Sequence, residues 1–128
     1  MNNKSANLPE QVSAEELNFI IIDAILDNKG EDIKCFDLRN LEMASADFFI
    51  VCHGNSNTQL SGIIKNIEKK VYEQTFQKAC FTEGINGNSW MLLDYFSVVV
   101  HVFSKDKRAF YNIEDLWSDA IVTEHNNH

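Results

Sequence analysis

The residues with the clearest chemical potential are Gly54, Asn55, Ser56 and Asn57, which follow an apolar run and precede a helical pattern. A glycine and serine turn at the start of a helix presents backbone N–H groups that bind anions such as phosphate. Enzymes that transfer nucleotidyl groups place a turn of this kind beside a strand whose carboxylates hold Mg²⁺. The GNSN turn therefore raises the hypothesis of a nucleotide-handling enzyme.

The carboxylates that such an enzyme needs do not occur at the right spacing. Side chains on one face of a strand recur every second residue, so an Asp-x-Asp pair is the simplest metal-binding arrangement. The strand acids are instead followed two positions later by other residue types: Asp37 by Arg39, Asp94 by Phe96 and Glu83 by Ile85. The pattern favours a tight turn with a helix cap at GNSN. A nucleotidyltransferase-like enzyme with Asp94 and a distant acid on Mg²⁺ is kept as the second hypothesis.

Metal and nucleophile chemistry find no better support. Cys52 and His53 are adjacent, so on a strand they point to opposite faces, and His101 stands alone in an apolar run. A lone strand histidine is more often a hydrogen-bonded residue than a metal ligand. Cys35, Cys52 and Cys80 are odd in number and lie in apolar runs, which predicts reduced core thiols. We expect no catalytic residue, no metal and no cofactor.

The elements that position these residues follow from hydrophobic periodicity. The pattern predicts helices over 13–30, 54–76 and 108–122, and strands over 33–38, 47–53, 78–84, 89–95 and 98–103. The order is αββαβββα, with five strands, which is typical of an α/β or α+β domain. The second strand, DFFIVCH, is apolar throughout and is predicted to be central in the sheet.

Caps and apolar faces define the helices further. Ser13 and Glu16 have the spacing of a capping box, as do Ser56 and Gln59. The first helix carries a second apolar stripe that needs cover from another helix or from a partner subunit of a homodimer. That stripe consists of Phe19, Ile22 and Leu26. The last helix is predicted to be capped by Asn112 and to turn five residues inward: Ile113, Leu116, Trp117, Ala120 and Ile121.

Composition limits the class of protein. The 128 residues suit one domain, which we expect over 13–121 between flexible tails at 1–12 and 122–128. The formal net charge of -8 disfavours direct nucleic-acid binding and suits a basic protein partner. No apolar segment is long enough for a membrane span, and the first residues resemble neither a signal nor a transit peptide. We expect a cytoplasmic protein that does not bind membranes.

The aromatic segment 90–103 is the strongest candidate for binding. Strand alternation places Trp90, Leu92 and Asp94 on one face and Met91, Leu93 and Tyr95 on the other, so both faces need cover. Tryptophan and tyrosine beside a charge are common in the hot spots of protein interfaces. The alternative, that Trp90 is simply a core residue, carries equal weight at this stage.

Four motifs together resemble the ribosomal silencing factor family, also called RsfS or Iojap. They are DFFIVCHGNSN, WMLLDY, VVVHVF and RAFYNIEDLW, in this order and spacing, and the resemblance covers about positions 13 to 118. It implies an α/β fold with a mixed sheet flanked by helices, related to the nucleotidyltransferase fold but without its catalytic carboxylates. Members of this family are non-enzymatic factors that bind ribosomal protein fourteen of the large subunit, block joining of the small subunit and lower translation when nutrients are short.

The resemblance also implies a binding site. In the family the hairpin takes part in the ribosomal contact, and this role carries over to Trp90, Leu92, Asp94 and Tyr95. The family commonly has a Gly-Asp turn where this chain has Phe96 and Ser97, which predicts either a wider hairpin tip or Phe96 as an additional exposed contact. Two further departures are Thr58, where arginine is common, and Ser89, where an acidic residue often precedes the tryptophan.

Overall fold

The fold was determined from a computed structural model, which describes residues 12–84, 90–111 and 119–125. The helices are α1 (Ala14–Asp27), α2 (Asn57–Thr75) and α3 (Lys105–Tyr111). The strands are β1 (Glu31–Asp37), β2 (Phe48–Gly54), β3 (Phe81–Glu83), β4 (Trp90–Asp94), β5 (Val98–Ser104) and β6 (Ile121–His125). Within these described ranges, no helix is long and apolar enough to cross a membrane.

The described strands form one mixed sheet in the order β3-β4-β5-β2-β1-β6. β2 and β5 run parallel, and every other neighbouring pair is antiparallel. All seven residues of β2 are buried, as the continuous apolar run predicts for a central strand. The α/β (α+β) class and the mixed sheet are confirmed, but the sheet has six strands rather than the predicted five.

The helices α1 and α2 pack on one face of the sheet and on each other. The capping box that opens α1 is confirmed, since Glu16 donates its backbone N–H to Ser13 Oγ at 3.1 Å while Ser13 N–H faces Glu16 Oε1 at 3.4 Å. Buried branched side chains at helical spacing form the contact: Leu17, Ile21 and Ile25 of α1, and Leu60, Ile63 and Ile67 of α2. This spacing explains why both helices lie flat on the sheet.

The second stripe of α1 is largely covered within the chain. Ile22 is buried in the main core and Leu26 is partly buried against it. Phe19 is the exposed member, with 72% of its surface accessible. Phe19 is therefore the residue of this stripe that is exposed for contact with a second subunit.

The predicted terminal helix over 108–122 differs from the structure at both ends. α3 begins at Lys105, directly after β5, and residues 112–118, including Asn112, Ile113, Leu116 and Trp117, lie outside the described residues. Ala120 is partly buried, but Ile121 opens β6 and is 63% exposed, so its predicted inward position is wrong. The β-branched run Ile121, Val122 and Thr123 favours a strand, and it pairs with β1, which would otherwise be the edge of the sheet.

β6 also occupies residues that the sequence pattern assigned to a C-terminal tail. The N-terminal boundary of the domain at residue 13 stays a prediction, because residues 1–11 lie outside the described part of the chain.

The sheet face opposite α1 and α2 carries a second apolar cluster. Its buried members are Phe36, Leu38, Phe49, Val51 and Phe103, and Trp90 and Val99 are among the partly buried residues that pack against it. This second face bears the aromatic side chains of β4 and β5, and it contains the candidate binding surface.

Candidate functional site

The hairpin of β4 and β5 divides its side chains between two faces, as the alternation predicts. Met91 and Leu93 are buried under the helices, whereas Trp90, Leu92 and Asp94 are half-buried on the opposite face. On β5, Val98, Val100 and Val102 belong to the helix-side core. Three residues that the sequence singled out therefore share one accessible surface.

Tyr95 does not share that surface. Its side chain is 4% exposed and belongs to the helix-side core. The hydroxyl is buried without a hydrogen-bond partner among the described residues, and it borders a pocket of about 320 Å³ beside Glu68 and Tyr72 of α2. Burial, assisted by the negative charge of Glu68, raises the pKa of Tyr95. Direct contact of Tyr95 with the same partner as Trp90 would require a rearrangement of the core.

Phe96 projects from the hairpin turn. The backbone N–H of Tyr95 donates to the carbonyl of Val98 at 2.9 Å, so Phe96 and Ser97 alone make the connection. Phe96 has a φ of 76° and is 75% exposed, although the left-handed region is uncommon for a bulky side chain. Asp94 Oδ1 accepts a hydrogen bond of 2.7 Å from the Phe96 N–H and so holds the turn. The turn thus keeps a large apolar ring in solvent.

Two residues of the accessible surface were missed by the sequence analysis. Phe81 lies directly opposite Asp94 in the antiparallel pair of β3 and β4, and Glu83 lies opposite Leu92. Directly opposed residues project on the same face, so Phe81, 54% exposed, and Glu83 extend the surface formed by β4. The register of β3 carries this information, and the strand pattern alone does not supply it.

We define the hairpin surface as Phe81, Glu83, Trp90, Leu92, Asp94 and Phe96. Three of its members are aromatic and two carry a negative charge. Trp90 anchors it, since the indole packs against the second apolar cluster and its Nε1–H donates to His101 Nδ1 at 2.9 Å. Trp90 is partly buried against the second apolar cluster and partly exposed, so its role in binding stays a prediction.

The GNSN turn is a helix cap with its own hydrogen bonds. Ser56 Oγ accepts from the Gln59 N–H at 3.1 Å, and the Gln59 side chain accepts from the Asn55 N–H at 2.7 Å. Gln59 Nε2 also donates to the carbonyl oxygen of Lys29 at 2.9 Å, which ties the turn to the end of α1. Two of the backbone donors that an anion would use are therefore already engaged.

The metal-dependent hypothesis also requires Asp94 beside this turn, and the structure separates them. Asp94 pairs with Val99 and Gly54 pairs with Ser104, so the two lie at opposite ends of β5. Five residues of strand span roughly 17 Å. Among the described residues, no three His, Cys, Asp or Glu side chains converge as metal ligands would. Asp94 cannot assist a ligand at GNSN in this geometry.

The acids closest to the GNSN turn in the hydrogen-bond network belong to a structural cluster. Glu31 Oε2 accepts from Asn55 at 2.8 Å, and Glu31 Oε1 lies 3.3 Å from His53 Nε2. Arg108 of α3 lies 3.0 Å from His53 Nδ1 and donates to the Asp32 carbonyl at 2.6 Å. An irregularity in β1, with a φ of 50° at Asp32, accompanies this contact.

The electrostatics of this cluster follow from burial and pairing. Burial and the neighbouring charge of Arg108 lower the pKa of His53. The pKa of Glu31 is lowered, mainly by the hydrogen bond that its carboxylate accepts from Asn55. Arg108 is only 5% exposed and contacts both His53 and the Asp32 carbonyl, so the cluster fastens α3 to the ends of β1 and β2. Sequence reasoning missed it because the contact spans 55 residues.

The cysteines divide into two classes. Cys35 and Cys52 are buried, and burial raises the pKa of both thiols, that of Cys52 to about 12. The prediction of inert core thiols fits these two, but Cys80 is exposed because it precedes the edge strand β3. His101 is buried and hydrogen-bonded, as expected for a lone strand histidine.

Comparisons with known proteins agree with this architecture. A family model described as "Ribosomal silencing factor during starvation" matches residues 11–128. The ribosomal silencing factor RsfS of Halalkalibacterium halodurans is 39% identical over 113 residues, covering 88% of this chain and 95% of the relative. RsfS of Bacillus subtilis is 42% identical over 98 residues, covering 77% of this chain and 81% of the relative.

A solved structure gives the same result. A crystal structure of a Chromobacterium violaceum protein superposes with a TM-score of 0.77 at 32% identity, covering 83% of this chain and 87% of that one. Sequence and fold agree over most of the chain, and the relatives are named for a regulatory role at the ribosome. The chain therefore belongs to the ribosomal silencing factor family.

Proposed function

We propose that this protein binds the large ribosomal subunit through ribosomal protein fourteen and prevents the small subunit from joining, so that translation falls when nutrients are short. Binding alone suffices for this mechanism, because a protein bound to the large subunit where the small subunit docks excludes the small subunit sterically. No catalytic step is required. The observation that carries the proposal is the hairpin surface, in which Trp90 is anchored below and accessible above.

The composition of the hairpin surface suits a protein partner. Aromatic side chains such as Trp90, Phe81 and Phe96 supply large apolar contact area with few rotatable bonds. Asp94 and Glu83 add negative charge at its margin, in a chain whose net charge is -8. A basic protein on the ribosome is a complementary partner, and charge attraction raises the rate of encounter.

The first experiment compares affinities for purified large subunits. Phe81→Ala removes an exposed aromatic ring of the hairpin surface, and Phe19→Ala removes one from α1 on the other side of the sheet. We expect Phe81→Ala to weaken binding about 5- to 30-fold, as for an aromatic interface residue, and Phe19→Ala to leave it unchanged. Equal effects of the two variants would contradict the assignment of the surface.

A charge variant tests the electrostatic part. Asp94→Asn keeps an oxygen for the Phe96 N–H and so preserves the turn, but it removes the negative charge. Glu73→Gln removes a charge from the exposed side of α2 and serves as the control. We expect slower association for Asp94→Asn only, with the difference shrinking at high salt. A salt-independent difference would exclude a direct charge contact at Asp94.

A further inference from the structure

A buried histidine, His101, holds the indole of Trp90. Trp90 Nε1–H donates to His101 Nδ1 at 2.9 Å, and the two rings lie 5.8 Å apart with planes inclined by 28°. In the register of β4 and β5, His101 opposes Leu92, so Trp90 is its diagonal neighbour on the same face. The histidine therefore contacts the indole through a directional hydrogen bond, with the two ring planes only modestly inclined.

His101 is itself fixed by its surroundings. Its side chain is 5% exposed, with the ring of Phe49 at 4.5 Å and that of Phe103 at 6.1 Å. Burial lowers the pKa of His101 to about 4, so the imidazole is neutral near pH 7. A neutral imidazole has one acceptor nitrogen, and because Nδ1 accepts from Trp90 the proton resides on Nε2. The indole thus meets an acceptor of fixed position.

We propose that His101 is a positioning residue for partner binding, which sets the ring plane of Trp90 before the partner arrives. The role rests on the proposed function, since it concerns how the hairpin surface is prepared. His101 is only 5% exposed, so it acts on the partner through Trp90. Because His101 already orders the Trp90 side chain in the free protein, association does not lose the entropy of that side chain. This is the physical basis of preorganisation.

Two substitutions separate the hydrogen bond from the packing of the His101 ring against its aromatic neighbours. His101→Phe keeps an aromatic ring between Phe49 and Phe103 but offers no acceptor to the indole. His101→Asn loses the ring but places an amide oxygen close to where Nδ1 lies. We expect His101→Phe to weaken large-subunit binding about 3- to 10-fold, the size of the cost of ordering one side chain. His101→Asn should recover much of this loss.

A spectroscopic readout reports the positioning directly. The ¹H–¹⁵N spectrum contains an indole resonance for each of the two tryptophans, and the resonance missing from Trp90→Phe identifies that of Trp90. We expect it to shift markedly in His101→Phe and less in His101→Asn. If His101 only filled space, the shift would not depend on an acceptor, so shifts of equal size in the two variants would overturn the positioning role.

A double-mutant cycle completes the test. Trp90→Phe has no N–H to orient, so adding His101→Phe in that background should change the affinity less than about twofold. Equal losses in the wild-type and Trp90→Phe backgrounds would overturn the coupling. If the wild-type chain bound no large subunit, the proposed function would fall, while the indole resonance would still decide whether His101 positions Trp90.

Discussion

Replacement of Phe96 by glycine is expected to raise stability and lower binding at the same time. Phe96 has a φ of 76°, and the left-handed conformation costs a non-glycine residue about 1–2 kcal/mol. Glycine relieves this strain, but it also raises the conformational entropy of the unfolded chain, which lowers the stability by roughly 0.4–1 kcal/mol. The ring is 75% exposed, so its removal sacrifices little buried area. The expected net gain is about 0.5–1 kcal/mol in the free energy of unfolding.

Phe96→Ala is the matched control for the strain. Alanine keeps the Cβ atom and therefore the unfavourable backbone conformation, while it removes the same ring. Urea denaturation at constant m-value should give a higher midpoint for Phe96→Gly than for Phe96→Ala. Equal midpoints would refute the view that this turn stores strain.

The affinity of the same two variants tests why the strain is kept. Both lack the ring and should bind the large subunit about 5- to 30-fold more weakly than the wild type, with similar losses for the two. A strained residue points to function only when removing its side chain impairs that function. Unchanged binding in both variants would remove Phe96 from the hairpin surface.

Three further predictions concern buried polar groups. Tyr95→Phe removes a hydroxyl that has no hydrogen-bond partner among the described residues. The free energy of unfolding, measured by thermal unfolding, should therefore change by less than about 1 kcal/mol. A larger loss would mean that the hydroxyl is hydrogen-bonded. Arg108→Leu should lower the free energy of unfolding by about 2–4 kcal/mol, because it removes both the contact with His53 and the charge. Arg108→Lys disturbs the same contact but keeps the charge, so it should cost less. An Arg108→Leu variant as stable as the wild type would show that the cluster does not fasten α3. The pKa of His101 is about 4 in the folded chain and about 6.5 in the unfolded chain, so the unfolded chain binds more protons between these pH values. The free energy of unfolding should therefore fall by about 3 kcal/mol as the pH drops from 6.5 to 4. His101→Asn should weaken this pH dependence, and an unchanged slope in chemical denaturation would contradict the assignment.

Local signals allowed much of the fold to be predicted. The capping box at Ser13 is a contact over three residues, and it forms as expected. The apolar run of β2 indicates burial on both faces because no polar position interrupts it. The alternation along β4 assigns Trp90 and Leu92 to one face and Leu93 to the other. Each of these features depends on neighbours along the chain.

The features that the sequence missed depend on distant pairing. Phe81 joins the hairpin surface only through the register of β3 with β4, which pairs Phe81 with Asp94. β6 is a short β-branched run that gains its stability from pairing with β1, more than eighty residues earlier in the chain. The hydrogen bond between Trp90 and His101 requires the two strands to be aligned within one residue. Periodicity does not encode such contacts.

The most direct test of the central claim is the light scattering of small and large ribosomal subunits as they associate. The protein is preincubated with the large subunit in one sample and with the small subunit in another. We expect inhibition of joining after preincubation with the large subunit, and weaker inhibition by Phe81→Ala, whereas Phe19→Ala should act like the wild type. Association at an unchanged rate, with the protein demonstrably bound to the large subunit, would contradict steric silencing.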